Sequence, residues 1–557
     1  MSAYLGLSAY FHDAAAALVV DGKLVAFAQE ERFSRTKADP AMPLQAAQFC
    51  LERAGLTVGD LDAVVWHEKP LLKFERVLFT SLRTFPRSVR AFRRAMVSMM
   101  GDKLWVRSHL VGALGIDHDR VQFSAHHASH ASSAFHCSPF DEAAVLTVDG
   151  VGEWATTTTW TADPGGIVPL KELRFPHSLG LLYSVFTAFL GFRVNNGEYK
   201  VMGLAAFGEP TLEDKVRQVI RLDADGSFEL DLDYFHFHST PDRGWSPKFE
   251  ALFGAPRTPN GPLEQHHKDI AASVQRVLEE AVLGLARQLH RDTGKRFLCM
   301  AGGVALNSVA VGRVIAEGPF EDVFVQPAAG DAGGALGAAI LGAGGPKVPL
   351  TTAAWGQDLD PDQVRGWLDG QGATYTEPED IASAAAERLV RGDIIGWMQG
   401  RFELGPRALG QRSILADPRQ PGAKDRLNKK VKFREPFRPF APSVLAEFSP
   451  ELFELPKGGA WTRRFMTSVV PARDDRIPSA LHVDNTARIQ EVHADATPLY
   501  ARLLGEVGAR TGVPCVVNTS FNLAGEPMVN SVADGFGTFM RSDIDALAVG
   551  PFLVERG

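Results

Sequence analysis

Tyr4-Leu5-Gly6-Leu7-Ser8-Ala9, Ala15-Ala16-Ala17-Leu18-Val19-Val20 and Lys23-Leu24-Val25-Ala26-Phe27-Ala28-Gln29 are three short apolar runs, the last two joined by Asp21-Gly22. Asp-Gly between two such runs signals a hairpin, because glycine takes the left-handed backbone of a two-residue turn without steric cost. The chain therefore opens as a β-meander. The pattern returns where the apolar strand 143–147 runs into Asp149-Gly150-Val151-Gly152 and is followed by the strand-like 155–161. Two strand-led halves, each with a polar turn at a strand end, predict a duplicated α/β fold.

Working outward, 557 residues exceed one ordinary core and imply two or three domains. A helix over about 263–293 leads to a strand at 297–301, the turn Gly302-Gly303 and a helix from about 305. A strand at 323–326, a loop at 327–331 and a Gly/Ala-rich stretch at 333–345 follow. Residues 342–352 carry Gly, Pro and Thr without periodicity and read as a linker. Beyond it, helices at 381–391 and 501–511 precede strands at 394–398 and 514–517, so the second domain is also α/β. Residues 71–107 hold nine Lys and Arg among Leu, Phe, Val and Met. They read as basic amphipathic helix with a solvated cationic face, in preference to membrane or RNA contact.

Composition excludes several function classes. No apolar run reaches the ~20 residues of a membrane span. Met1-Ser2-Ala3 leads into a strand instead of a leader's charged and apolar regions, so a cytoplasmic location is expected. Cys50, Cys137, Cys299 and Cys515 form no C-x-x-C pair, which argues against a disulfide framework or a zinc-thiolate site. A net charge of −8 disfavours a broad nucleic-acid surface.

His126 and His130 share one face if their segment is helical, and Asp149 and Asp331 each follow an apolar strand, at the end of a sheet where ligands gather. Two His and two Asp suit iron, manganese or zinc. The turns around Gly150 and Gly152, Gly302 and Gly303, and Gly330 place small residues after strands, where backbone amides approach phosphates closely. Neither a P-loop nor a complete G-x-G-x-x-G is present. The stretch 400–443 sets Arg401, Arg407, Arg412, Lys429, Lys430, Lys432, Arg434 and Arg438 among Gly, Pro and Phe, which reads as a shaped anion pocket. Asn518-Thr519-Ser520-Phe521-Asn522, after a strand, adds neutral donors and acceptors.

Through Tyr10-Phe11-His12-Asp13-Ala14-Ala15, Glu30-Glu31-Arg32-Phe33, residues 126–131, Glu198-Tyr199-Lys200-Val201-Met202-Gly203-Leu204-Ala205, residues 405–413 and residues 518–522, the chain resembles the O-carbamoyltransferases. That family includes the tobramycin, cephamycin and nodulation-factor enzymes. The resemblance implies an actin/sugar-kinase-like domain over 1–343, like the tRNA threonylcarbamoyl-transfer protein. It also implies a linker at 344–354 and a domain over 355–557 like threonylcarbamoyl-adenylate synthase. It implies an ATP-dependent enzyme that converts carbamoyl phosphate to carbamoyl adenylate and passes the carbamoyl group to a small-molecule alcohol, an antibiotic or another natural product.

By the same resemblance, Arg407, Lys432, Arg438, Arg488, Asn518 and Ser520 would hold carbamoyl phosphate and adenylate. Gly150, Gly152, Lys200, Gly302, Gly303, Asn307 and Gly330 would hold ATP with magnesium. His126, His130, Asp149 and Asp331 would hold a divalent metal, iron before manganese or zinc. His12 would be the catalytic base, neutral near pH 7. A fused tRNA-threonylcarbamoyl modifier is the alternative; no nucleic-acid or membrane partner is expected, and the oligomeric state is open, a homodimer included.

Overall fold

A computed structural model describes residues 1–240 and 243–556. Internal contacts divide the chain into Met1–Val25 with Pro40–Pro349, and Ala26–Asp39 with Leu350–Gly557. Residues 26–39 thus group with the second unit, which a single cut at 344–354 does not express.

In the first unit one sheet runs in the order Lys23–Gln29, Ala15–Val20, Ala3–Ser8, Ala63–Trp66, Val121–Phe123. The other runs Gly166–Arg174, Ala155–Asp163, Ala143–Val148, Phe297–Ala301, Asp322–Val325. The first strand of each half pairs antiparallel with its second and parallel with its fourth, and the fourth pairs parallel with the fifth. The shared order is the duplicated actin/sugar-kinase-like arrangement that the repeat predicted. Ala143–Val148 is buried at every position, as a central strand covered on both faces requires.

A helix follows the fifth strand of each half, His126–Phe135 in one and Asp331–Gly342 in the other, and the two pack together. The second holds four glycines, each costing about 1 kcal/mol of helix propensity against alanine. Packing explains them. A Cβ at Gly337 would lie 1.8 Å from the Ser129 carbonyl oxygen, and a Cβ on the strand residue Gly6 would lie 1.9 Å from that of Ala335. Backbones approach here as side chains would forbid. The basic segment forms the helices Pro70–Arg83, Val89–Ser98 and Val106–Leu114.

The second unit is built on an eight-stranded mixed sheet in the order Tyr375–Thr376, Phe552–Glu555, Ala546–Val549, Ile395–Met398, Arg412–Ala416, Cys515–Ser520, Ala441–Leu445, Gln490–Val492. Alternation along the strands gives two cores. Ile395, Trp397, Leu415 and Val516 pack with the helices Ile381–Arg391 and Pro498–Thr511, while Met398, Ile414 and Val517 join the opposite cluster with Leu368 and Phe539. Among the described residues no helix is long and apolar enough to cross a membrane.

Candidate functional site

The helix His126–Phe135 starts where the first sheet ends and carries His126 and His130 one turn apart on one face. Asp331 opens the matching helix of the second half, and Asp149 directly follows the strand Ala143–Val148. One ligand atom from each of the four lies within 4.8 Å of the other three, and all four residues are buried or nearly so. His126 Nε2 is 3.1 Å from Asp149 Oδ2, 3.1 Å from His130 Nε2 and 3.8 Å from Asp331 Oδ1.

Charge explains why this set fits a cation. Burial opposes a charge on His126, but its hydrogen bond to Asp149 and the fields of Asp331, Asp149 and Glu153 raise it to about 9. Burial and the neighbouring His126 push His130 well below its usual value. Burial pushes the Asp149 carboxyl up, yet the histidines outweigh it and hold it well below the usual carboxylate range. Two buried carboxylates thus draw in a proton as substitute for positive charge, and the N₂O₂ donor set suits a first-row divalent ion.

The surroundings fix these donors. Glu153 accepts the His126 backbone N–H at 3.0 Å and that of Lys69 at 2.8 Å, so one carboxylate ties down the starts of two helices. Gly303 N–H donates to Asp149 Oδ1 at 2.9 Å. A Cβ at Gly152 would lie 2.9 Å from His126 Cδ2. Buried Glu68 pairs with Lys73 at 2.7 Å. Sequence reasoning missed Glu153, Glu68 and Lys73; Glu153 stands beside the Asp149–Gly152 turn, but a lone carboxylate there has no spacing to single it out.

His12 lies in the connection after the strand Ala3–Ser8, the position in the first half that matches the Asp149–Gly152 turn in the second. Its Nδ1 is 2.9 Å from Asp13 Oδ2. Burial lowers its proton affinity, but Asp331, Asp13 and Asp149 outweigh it and raise the imidazole to about 9. The chain's own groups therefore do not give the neutral imidazole expected at pH 7.

The glycine turns fall at strand ends around the same place. Gly302 has φ +91°, and a Cβ there would lie 2.2 Å from the Val148 carbonyl oxygen. The Gly303 amide, expected to face phosphate, is occupied by Asp149. Gly150 accepts from Ser178 Oγ at 2.6 Å, and Gly330 precedes the helix at Asp331. Asn307 caps the helix Ser308–Glu317 and exchanges two amide hydrogen bonds with Gln275, so its side chain is committed within the fold. Lys200 Nζ lies 5.7 Å from the Phe192 ring centroid.

In the second unit the cations converge. Lys432 Nζ donates to Ser520 O at 2.6 Å, Asn522 Oδ1 at 2.7 Å and Asn522 O at 2.9 Å, none of them a carboxylate. Burial, with Arg434, Arg438 and Lys37 nearby, depresses Lys432 well below its usual value. Burial and the charges of Arg407, Arg434 and Arg438 likewise depress Arg488, whose buried Nε has no hydrogen-bond partner among the described residues. Arg438 sits 3.7 Å from Glu435.

The loop that carries Arg407 is held from within. Glu403 Oε1 accepts the N–H groups of Leu409, Gln411 and Arg412, while the buried Arg412 guanidinium donates to the carbonyls of Gln399 and Gly400. Arg412, counted at the sequence level among the pocket cations, is therefore a brace. Asn518 is 2% exposed and donates to Ala408 O at 3.1 Å, tying this loop to its strand.

Residues 3–340 match the family model described as carbamoyltransferase N-terminus, and residues 386–556 that described as carbamoyltransferase C-terminus. The nodulation protein NolNO of Sinorhizobium fredii is 39% identical over 98% of this chain and 79% of its own length. NolO of Bradyrhizobium diazoefficiens is 42% identical over 77% of this chain and 78% of its own. An uncharacterized Synechocystis protein is 44% identical over 100% of this chain and 97% of its own. Among solved structures, component A of Acidaminococcus fermentans (R)-2-hydroxyglutaryl-CoA dehydratase aligns with 61% of this chain and 97% of its own, at 16% identity and TM-score 0.34. The ROK hexokinase of Thermus thermophilus aligns with 61% of this chain and 97% of its own, at 16% identity and TM-score 0.27. The fold assignment rests on strand order, not on these superpositions.

Proposed function

Since the chain belongs to the carbamoyltransferase family, we propose that it is an ATP-dependent O-carbamoyltransferase that activates carbamoyl phosphate in its second unit and carbamoylates a small-molecule hydroxyl in its first. The observation that carries this reading is the cation cluster of buried Lys432 with half-buried Arg407, Arg438 and Arg488, in which burial first and then the neighbouring guanidinium charges depress Lys432 and Arg488. Such a cluster is costly without an anion and gains charge-assisted hydrogen bonds with one. Carbamoyl phosphate is a small dianion of suitable charge.

In this reading water cleaves carbamoyl phosphate to carbamate and phosphate, with the cations neutralising both products. A carbamate oxygen then attacks the α-phosphorus of ATP and pyrophosphate leaves, giving carbamoyl adenylate. In the first unit the acceptor hydroxyl attacks the carbamoyl carbon, its proton passes to His12, and AMP departs. Gly150, Gly152, Gly302 and Gly330 supply the nucleotide-facing turns and Lys200, on the helix Glu198–Ala205, a cation for the phosphates, with Asn307 supporting them through Gln275. A divalent metal held by His126, His130, Asp149 and Asp331 would polarise the carbonyl and neutralise two of the three carboxylates that raise His12.

The test is pyrophosphate exchange. Labelled pyrophosphate is expected to enter ATP only when carbamoyl phosphate is present. Absence of exchange with every divalent metal tried would sink the activation step, and exchange that needs bicarbonate and threonine instead would identify a tRNA modifier.

A further inference from the structure

The basic segment exposes most of its arginines, as its charge pattern suggested, and bares a set of apolar side chains among them. Residues 71–107 hold nine basic residues against two acidic ones, a balance of +7, while the remainder of the chain carries −15. Nine of the nineteen large hydrophobic side chains exposed among the described residues also lie between Leu71 and Trp105. Leu71 is 73% exposed, Leu82 63%, Phe85 70% and Val97 70%. So dense a cluster of bare apolar groups marks an interaction surface.

Its arrangement is ordered. The helix Pro70–Arg83 exposes Leu71, Phe79 and Leu82 along one face, and the helix Val89–Ser98, packed on it, exposes Val89, Arg90, Arg93, Arg94 and Val97. Arg83, Arg87, Arg90, Arg93 and Arg94 are all exposed and make no ion pair among the described residues. The inner side is anchored by the Lys73–Glu68 pair and by buried Arg76, whose guanidinium lies 5.0 Å from the Phe175 ring centroid. The outer face is thus held in place with its arginines unneutralised and its apolar side chains bare.

We propose that this helical hairpin docks the protein on an anionic phospholipid surface. Five unpaired arginines complement anionic headgroups, and the interleaved Leu, Val, Phe and Met side chains match the acyl boundary below them. Six of the nine bare side chains, Leu71, Leu72, Leu82, Val89, Val97 and Met100, are aliphatic and only Phe79, Phe85 and Trp105 carry rings on which a base could stack, a balance that favours acyl chains over nucleic acid. Symmetric pairing with a second copy would set arginine against arginine.

Flotation of the full chain with vesicles tests this. Phosphatidylcholine vesicles containing phosphatidylglycerol should carry the protein up at low salt, and pure phosphatidylcholine should not. Arg90→Gln/Arg93→Gln/Arg94→Gln should weaken binding roughly fivefold per arginine, about 100-fold together. Leu82→Ser/Phe85→Ser should weaken it too while its salt dependence persists, with circular dichroism confirming that each variant is folded. The proposal is overturned if wild type does not distinguish the two vesicles or if the arginine variant floats as well as wild type. It is equally overturned if, without flotation, light scattering shows a dimer that Leu82→Ser/Phe85→Ser dissolves, or if the surface binds single-stranded RNA instead.

Discussion

Asp149 concentrates the chemistry of the first unit at one residue: it faces both histidines, accepts the Gly303 amide and helps raise His12. Asp149→Asn keeps the shape and removes the charge, so bound metal measured on the purified protein should fall at least tenfold; unchanged stoichiometry would remove Asp149 from the ligand set. The quartet was legible because an i, i+4 histidine pair and carboxylates at strand ends are patterns. Glu153 and Glu403 were not, since each acts on backbone amides brought to it only by folding. A separate test concerns His136, which burial lowers to about 4. The folded chain refuses a proton that the unfolded chain accepts below its ordinary value near 6.5, so this stability is complete above about pH 6.5 and is lost as pH falls toward 4. The stability advantage of wild type over His136→Gln in urea unfolding should shrink by roughly 1–2 kcal/mol between about pH 7.5 and about pH 5. A constant gap would show that His136 titrates normally.

At the scale of elements, the helix Asp331–Gly342 shows where sequence reading stops. Its glycines lower helix propensity and its periodicity is weak, so composition alone left it unassigned; contact with Ser129 and with the first strand is what makes it a helix. Gly337→Ala should therefore destabilise, by about 1–3 kcal/mol as for overpacked cores, although alanine is the better helix former. A raised thermal midpoint would contradict the packing account. The opening meander was readable from Asp21-Gly22 and its flanking strands. The strands Ala63–Trp66 and Val121–Phe123 were too short to carry a period. In residues 71–107 the helices were legible and the bareness of their outer face was not, because a hydrophobic residue in sequence gives no sign whether anything covers it.

At the scale of the molecule, the proposed function assigns two half-reactions to two compact units that differ in the charge they gather. The first gathers carboxylates and imidazoles, a set that could hold a cation, and the second gathers guanidinium and ammonium groups, which the proposal matches to an anion. Residues 26–39, with Glu30-Glu31-Arg32-Phe33, belong by contacts to the second unit: Arg32 donates to Gly405 O at 3.0 Å and Arg35 to Met528 O at 2.6 Å. No local pattern could reveal that excursion, since the partners are hundreds of residues away. The division of labour is the central claim, and one paired measurement addresses it most directly: pyrophosphate exchange and carbamoyl transfer, followed in parallel for Arg407→Ala and His12→Asn. Arg407→Ala should lose both reactions, and His12→Asn should keep exchange while losing transfer. Equal loss of exchange in the two variants would contradict the separation of activation from transfer.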